Sequence, residues 1–75
     1  MLITKIANNV YRLVLGTNQT DIYYVAKSFK GSWKIANQGL VVDFADTRQS
    51  AINVAINLYN EVTAWKQQLS NGLEL

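Results

Sequence analysis

The segment Asp46–Gly72, D-T-R-Q-S-A-I-N-V-A-I-N-L-Y-N-E-V-T-A-W-K-Q-Q-L-S-N-G, decides the fold. It has a polar start, no Pro, no internal Gly, and a closing Asn71-Gly72 pair. Asp46 with Gln49 three residues on reads as a capping box, and Asn71-Gly72 suits the left-handed residue that ends many helices. The spacing therefore predicts one helix over about 47–70. Ala51, Ala55, Leu58, Val62, Trp65 and Leu69 recur at intervals of 4-3-4-3-4, a single apolar stripe. Asn53, Asn57, Asn60 and Gln67 fall on the opposite side.

A second apolar row complicates that helix. Ile52, Ile56 and Tyr59 lie roughly 80–140° around from Ala51, at about 100° per residue. With Val54 on the other flank, the apolar arc spans roughly 200°, about twice the minimum stripe of a surface helix. Either a strongly twisted sheet wraps the helix and buries this shoulder, or Ile52, Ile56 and Tyr59 form a protein interface. Two-fold pairing of helices in a homodimer is one way to cover it, and Tyr59 is the expected anchor.

Upstream of the helix the period changes from 3.6 to 2. Leu2–Ala7, Val10–Leu15, Ile22–Lys27, Ser32–Ala36 and Leu40–Phe44 read as strands, rich in β-branched and aromatic residues. Asn8-Asn9, Gly16–Asp21, Lys30-Gly31 and Asn37–Gly39 read as turns. A long bent strand through Asn8-Asn9 is the alternative for the first two. Connections this short force antiparallel neighbours, since parallel strands need a crossover of a dozen residues or more. The expectation is a single α+β domain over residues 1–75: an antiparallel sheet of four to five short strands, about 2–44, packed against one long C-terminal α-helix. Leu58, Val62 and Trp65 are expected to pack on Trp33, Ile35, Leu40, Val42 and Phe44.

Composition excludes more function than it suggests. The 75 residues contain no His, no Cys and no Pro, and Met1 is the only Met. Without His or Cys, the usual proton shuttle, thiol nucleophile and soft metal ligands are missing. Asp43 and Asp46 are the nearest acid pair. Asp46 is expected to cap the helix and Asp43 to point away from the core, and no base lies nearby in sequence. Gly16, Gly31, Gly39 and Gly72 fall into no phosphate-binding spacing. The expectation is no enzyme, no catalytic residues, no cofactor, no metal and no small-molecule substrate. No apolar run is long enough for a membrane span or a secretory leader. A cytoplasmic location without membrane contact follows as the expectation.

Charge is sparse and uneven. Asp, Glu, Lys and Arg make up 16 % of the chain against a typical value of about 25 %. Eight Asn and five Gln supply polarity instead, and such a surface is poorly protected against association. Residues 1–36 carry Lys5, Arg12, Lys27, Lys30 and Lys34 against Asp21 alone, while residues 37–75 are net acidic. That asymmetry points to an anionic partner for the sheet half.

Two functions follow from these features. The leading one is a small non-catalytic binding module acting by protein–protein contact, with a protein partner or a second copy, of a size suited to an accessory or inhibitor role in a mobile element. The alternative is a nucleic-acid-binding domain using a basic, aromatic sheet face built from Arg12, Tyr23, Lys27 and Lys34. Gly31-Ser32-Trp33 followed by Phe44, Thr47 and Ala51 resembles the G-x-W and F-x-T patterns of the small three-strand-plus-helix DNA-binding domains of integrase arms and plant-type transcription factors. The resemblance covers about 20 residues and implies a sheet that meets DNA. Phe44 and Thr47 are three apart where those domains have two, and this sheet is poor in Arg.

Overall fold

In the computed structural model, which describes residues 1–73 and side chains as far as Gln68, five strands precede one helix. The strands are β1 (Leu2–Ala7), β2 (Val10–Val14), β3 (Ile22–Lys27), β4 (Trp33–Asn37) and β5 (Leu40–Ala45). They form one antiparallel sheet in chain order, β1-β2-β3-β4-β5. The helix α1 (Arg48–Leu73) lies against one face of β3, β4 and β5. The expected α+β architecture is the one observed.

Turn chemistry explains the meander. Gln38 and Gly39 both have positive φ, 55° and 80°, the pairing of the two-residue hairpin turn that matches strand twist. Asn9 has φ 56°, a region Asn tolerates better than most residues. The Asn8-Asn9 turn is therefore real, and the single bent strand is not formed. Between β2 and β3 the chain makes one 3-10 turn, Gln19–Asp21, where the Asp21 carboxylate accepts the Asn18 N–H at 3.1 Å. Asn37 ties β4 to the start of β3 by donating to the carbonyls of Thr20 (3.0 Å) and Ile22 (2.9 Å).

Each edge strand carries one extra residue. On β1, Lys5 pairs with Tyr11 and Ala7 with Val10, so Ile6 has no partner across the ladder. On β5, Asp43 pairs with Ile35 and Val41 with Ala36, so Val42 is the odd residue. The Val42 bulge corrects the expected core. Asn37 opposite Leu40 starts a register in which Val42 and Phe44 would join Ile35 and Trp33 on the helix side. Slipping by one residue reverses every later side chain. Asp43 and Ala45 now share the face of Ile35 and Trp33, and Phe44, opposite Lys34, turns to the other face. Leu40, Val42 and Phe44 are 69 %, 47 % and 57 % exposed, not core. The Asp43 carboxylate accepts the Phe44 N–H at 2.7 Å, satisfying a donor on this outer strand.

The core is formed by Leu13, Tyr23, Val25, Trp33 and Ile35 from the sheet and Ala51, Ile52 and Ala55 from the helix. Ala51 and Ala55 are fully buried, letting the helix approach the strands closely. Ile52 is buried too, and Ile56 and Tyr59 pack against the core. The helix thus lies on the sheet by its Ala51–Ala55 row and its shoulder. The row expected to reach deepest does not: Leu58 is half-buried, and Val62 and Trp65 are exposed.

The helix begins one residue later than its sequence signature suggests. Thr47 Oγ1 accepts the Ser50 N–H at 3.1 Å, so the cap is Thr47 with Ser50 rather than Asp46 with Gln49. Arg48 then fastens the first turn to β2. Its guanidinium lies 5.2 Å above the Tyr11 ring and donates to the Tyr11 hydroxyl at 2.9 Å. At the other end the helix runs through Asn71-Gly72 to Leu73. At 1.5 Å per residue its 26 residues span about 39 Å, against about 20 Å for a six-residue strand. Its second half overhangs the sheet, and the molecule measures 49 × 20 × 19 Å.

Candidate interaction surfaces

Among the described residues, nothing covers the face of the sheet opposite the helix. Strand pairing places Thr4 opposite Arg12, Arg12 opposite Tyr24, Tyr24 opposite Ala36, Ala26 opposite Lys34, and Lys34 opposite Phe44. Leu2, Val14 and Ile22 extend this face at one end of the strands, and Val10 and Ala7 at the other. Leu2 (61 %), Val41 (51 %), Phe44 (57 %) and Tyr24 (37 %) retain much of their surface toward solvent. Arg12 and Lys34 are the charged members of the face. They stand on β2 and β4, two strand spacings across and two residues along, roughly 12 Å apart. No described Asp or Glu occupies a register position on this side, because Asp43 falls on the helix side opposite Ile35.

This arrangement splits the expected basic site. Arg12 and Lys34 do share a face. Tyr23 does not join them: opposite Leu13 and Asn37 on the helix side, it is buried under α1. Burial, the nearby Asp21 carboxylate and Tyr59 all push its phenol above the ordinary tyrosine range. Lys27 lies on the helix side as well, opposite Trp33 at the exposed end of β3. Tyr24, next to Tyr23 in sequence, is the aromatic residue that stands beside Arg12. Only the pairing of β2 with β3 reveals this, because an alternating strand offers both tyrosines equally.

Within the Ile52, Ile56 and Tyr59 ridge, Ile52 is buried by the protein's own sheet, and Ile56 and Tyr59 are partly buried against the same core. Tyr59 reaches the β2–β3 connection, where a β-carbon added at Gly16 would meet its hydroxyl at 2.6 Å.

The overhang of α1 is a second surface. From Asn60 to Gln68 every residue is exposed. Val62 and Trp65 are 47 % and 63 % exposed and, with Glu61 and Lys66, line a shallow apolar concavity. A third feature is the β3–β4 turn, where Phe29 is fully exposed between Lys27 and Lys30.

Among the described residues, no group of three His, Cys, Asp or Glu side chains is placed to hold a metal ion. No described helix is long and apolar enough to cross a membrane. No protein-family model, curated protein or solved structure matches this chain.

Proposed function

We propose that this domain is a non-catalytic module acting by protein–protein contact, and that its docking surface is the open face of the sheet. The observation that carries the reading is the group of Leu2, Tyr24, Val41 and Phe44, held outward by five paired strands with no described layer above them. Exposed apolar side chains gathered on one open face of a small domain suit an interaction surface. Its chemistry describes the partner. The partner presents an apolar patch for the Leu2, Tyr24, Val41 and Phe44 side chains, with carboxylates at the positions facing Arg12 and Lys34. Partners with Lys or Arg at those positions are rejected, because they meet the like charges of Arg12 and Lys34.

The test is a photo-reactive phenylalanine analogue at Phe44, in cells that naturally make the protein, with the same probe at exposed Asn53 as control. A discrete protein adduct from position 44 and none from 53 is the expected result. Equal labelling at both positions, or none at 44, refutes the docking face.

A second reading rests on one specific observation: on that same face Arg12 stands opposite Tyr24, and Lys34 opposite Phe44. Basic and aromatic side chains on an open sheet can neutralise phosphates and stack bases. If nucleic acid is the partner, Arg12→Ala and Lys34→Ala each leave one phosphate unneutralised and lower the salt slope by about one unit. Absence of a gel shift with single- or double-stranded DNA and RNA at about 50 mM salt eliminates this reading.

A further inference from the structure

We propose that the overhanging half of α1 pairs with the same segment of a second copy of this chain, as a short parallel two-helix coiled coil. Leu58, Val62 and Trp65 follow the 4-3 spacing of a coiled-coil seam, with Val62 at an a position and Leu58 and Trp65 at d. Leu58 still packs partly against the core, and from Val62 onward the seam has left the sheet. The buried positions Ala51, Ile52 and Ala55 and the exposed pair Val62 and Trp65 point roughly 60° apart, at about 100° per residue. A second helix laid along the seam therefore approaches beside the sheet, with the helices diverging toward their N-termini where each carries its own strands.

Charge selects both the occupant and the orientation. Glu61 immediately precedes Val62, at a g position, and Lys66 immediately follows Trp65, at an e position. In a parallel pair the g residue of one helix faces the e residue five positions later on the other. Glu61 of each copy then meets Lys66 of the other, twice by symmetry. In an antiparallel pair g faces g and e faces e, and these two charges do not meet. Both residues are exposed. Five positions apart on one helix, they are not neighbours within a chain, where side chains three or four apart are the ones that touch.

The pairing is expected to be weak, because about two helical turns bury less than a standard protein interface. Sedimentation equilibrium should show a monomer–dimer exchange with a dissociation constant on the order of 10–100 μM. Trp65→Ala should weaken it more than tenfold without unfolding the domain, since Trp65 lies outside the core. Glu61→Lys or Lys66→Glu alone places like charges opposite each other twice and should weaken pairing about tenfold. The combined Glu61→Lys/Lys66→Glu variant should return to within about threefold of the parent. Phe44→Ser, on the open sheet face, should leave the exchange unchanged, separating this pairing from docking on the sheet. A parent that stays monomeric to about 0.5 mM overturns the proposal. A dimer indifferent to Trp65→Ala also overturns it, as does a double swap no better than either single one.

Discussion

Ile52→Ala and Val62→Ala distinguish the helix face that holds the fold from the one that does not. Ile52 is 7 % exposed among Leu13, Tyr23, Val25, Trp33, Ile35, Ala51 and Ala55, whereas Val62 is 47 % exposed beyond the sheet. Truncating a buried isoleucine costs about 2–5 kcal/mol, because apolar burial is removed and a cavity is left behind. A chain of 75 residues has a stability of roughly 4–11 kcal/mol. A loss of about 3 kcal/mol is thus a large part of the whole. With a urea slope near 1 kcal/mol per molar for so small a domain, the midpoint should fall by about 3 M. Val62→Ala should change stability by no more than about 0.5 kcal/mol. The natural reporter is Trp33, 9 % exposed in the core, with Trp65→Phe as background to silence the exposed indole. Working at low micromolar protein keeps the proposed self-pairing out of the measurement. A Val62→Ala midpoint lowered by more than about 1 M, with Ile52→Ala unchanged, would refute this assignment. That outcome would mean the helix lies on its 58–62–65 row.

Three further perturbations address single interactions. Thr47→Ala should cost about 1 kcal/mol in thermal or urea unfolding, and Asp46→Ala no more than about 0.5, because the cap is the Thr47 hydroxyl. Gly16→Ala should cost about 1–3 kcal/mol of stability through overpacking, read as a lower melting temperature, since the new methyl meets Asp21 and the Tyr59 hydroxyl; Tyr59→Phe should relieve part of that loss. Burial, then Asp21 and Tyr59, hold the Tyr23 phenol neutral above its ordinary pKa, so above about pH 10 the unfolded chain loses that proton first. Stability should therefore be full below about pH 10 and fall as pH rises beyond it, and Tyr23→Phe should flatten that part of the curve.

Much of this fold was legible because local signals agreed with each other. Period-two runs bounded by Asn-Asn, Gly and Asn-Gln-Gly place all five strands within a residue or so, and short loops leave antiparallel pairing as the one option. Faces were harder to read. Leu40, Val42 and Phe44 alternate faultlessly, but the strand contains a bulge that alternation cannot show, and it sends Phe44 to the far side. On the helix, two apolar rows compete, and the 4-3 row is the longer and more regular. Ala51 and Ala55 belong to that row, yet Ile52 decides the tilt by filling the space beside them. The row then departs from the sheet because the helix outlasts the strands. Arg12 and Lys34 were legible as a shared polar register. Their aromatic neighbour Tyr24 was not, since its assignment depends on which face the helix takes. Asp46 looked like the cap because its partner Gln49 completes a known pattern, but Thr47 sits where the chain first turns helical.

The bulges at Ile6 and Val42 bear on what this protein does when crowded. The run Leu40-Val-Val at an outer strand, on a chain with few charges, is the kind of segment that recruits copies of itself into a growing cross-β fibre. Growth of that sort needs a flat rim whose amide and carbonyl groups can template the next strand. Here each rim is broken by an unpaired residue, and on β5 the Asp43 carboxylate also occupies the Phe44 N–H. The sheet is therefore chain-terminated at both ends. The two surfaces proposed for association, the open sheet face and the helix seam, use side chains and not the backbone groups of these rims. Two-fold pairing along the helix seam, as proposed, uses the same patch on both copies and closes at a dimer instead of propagating.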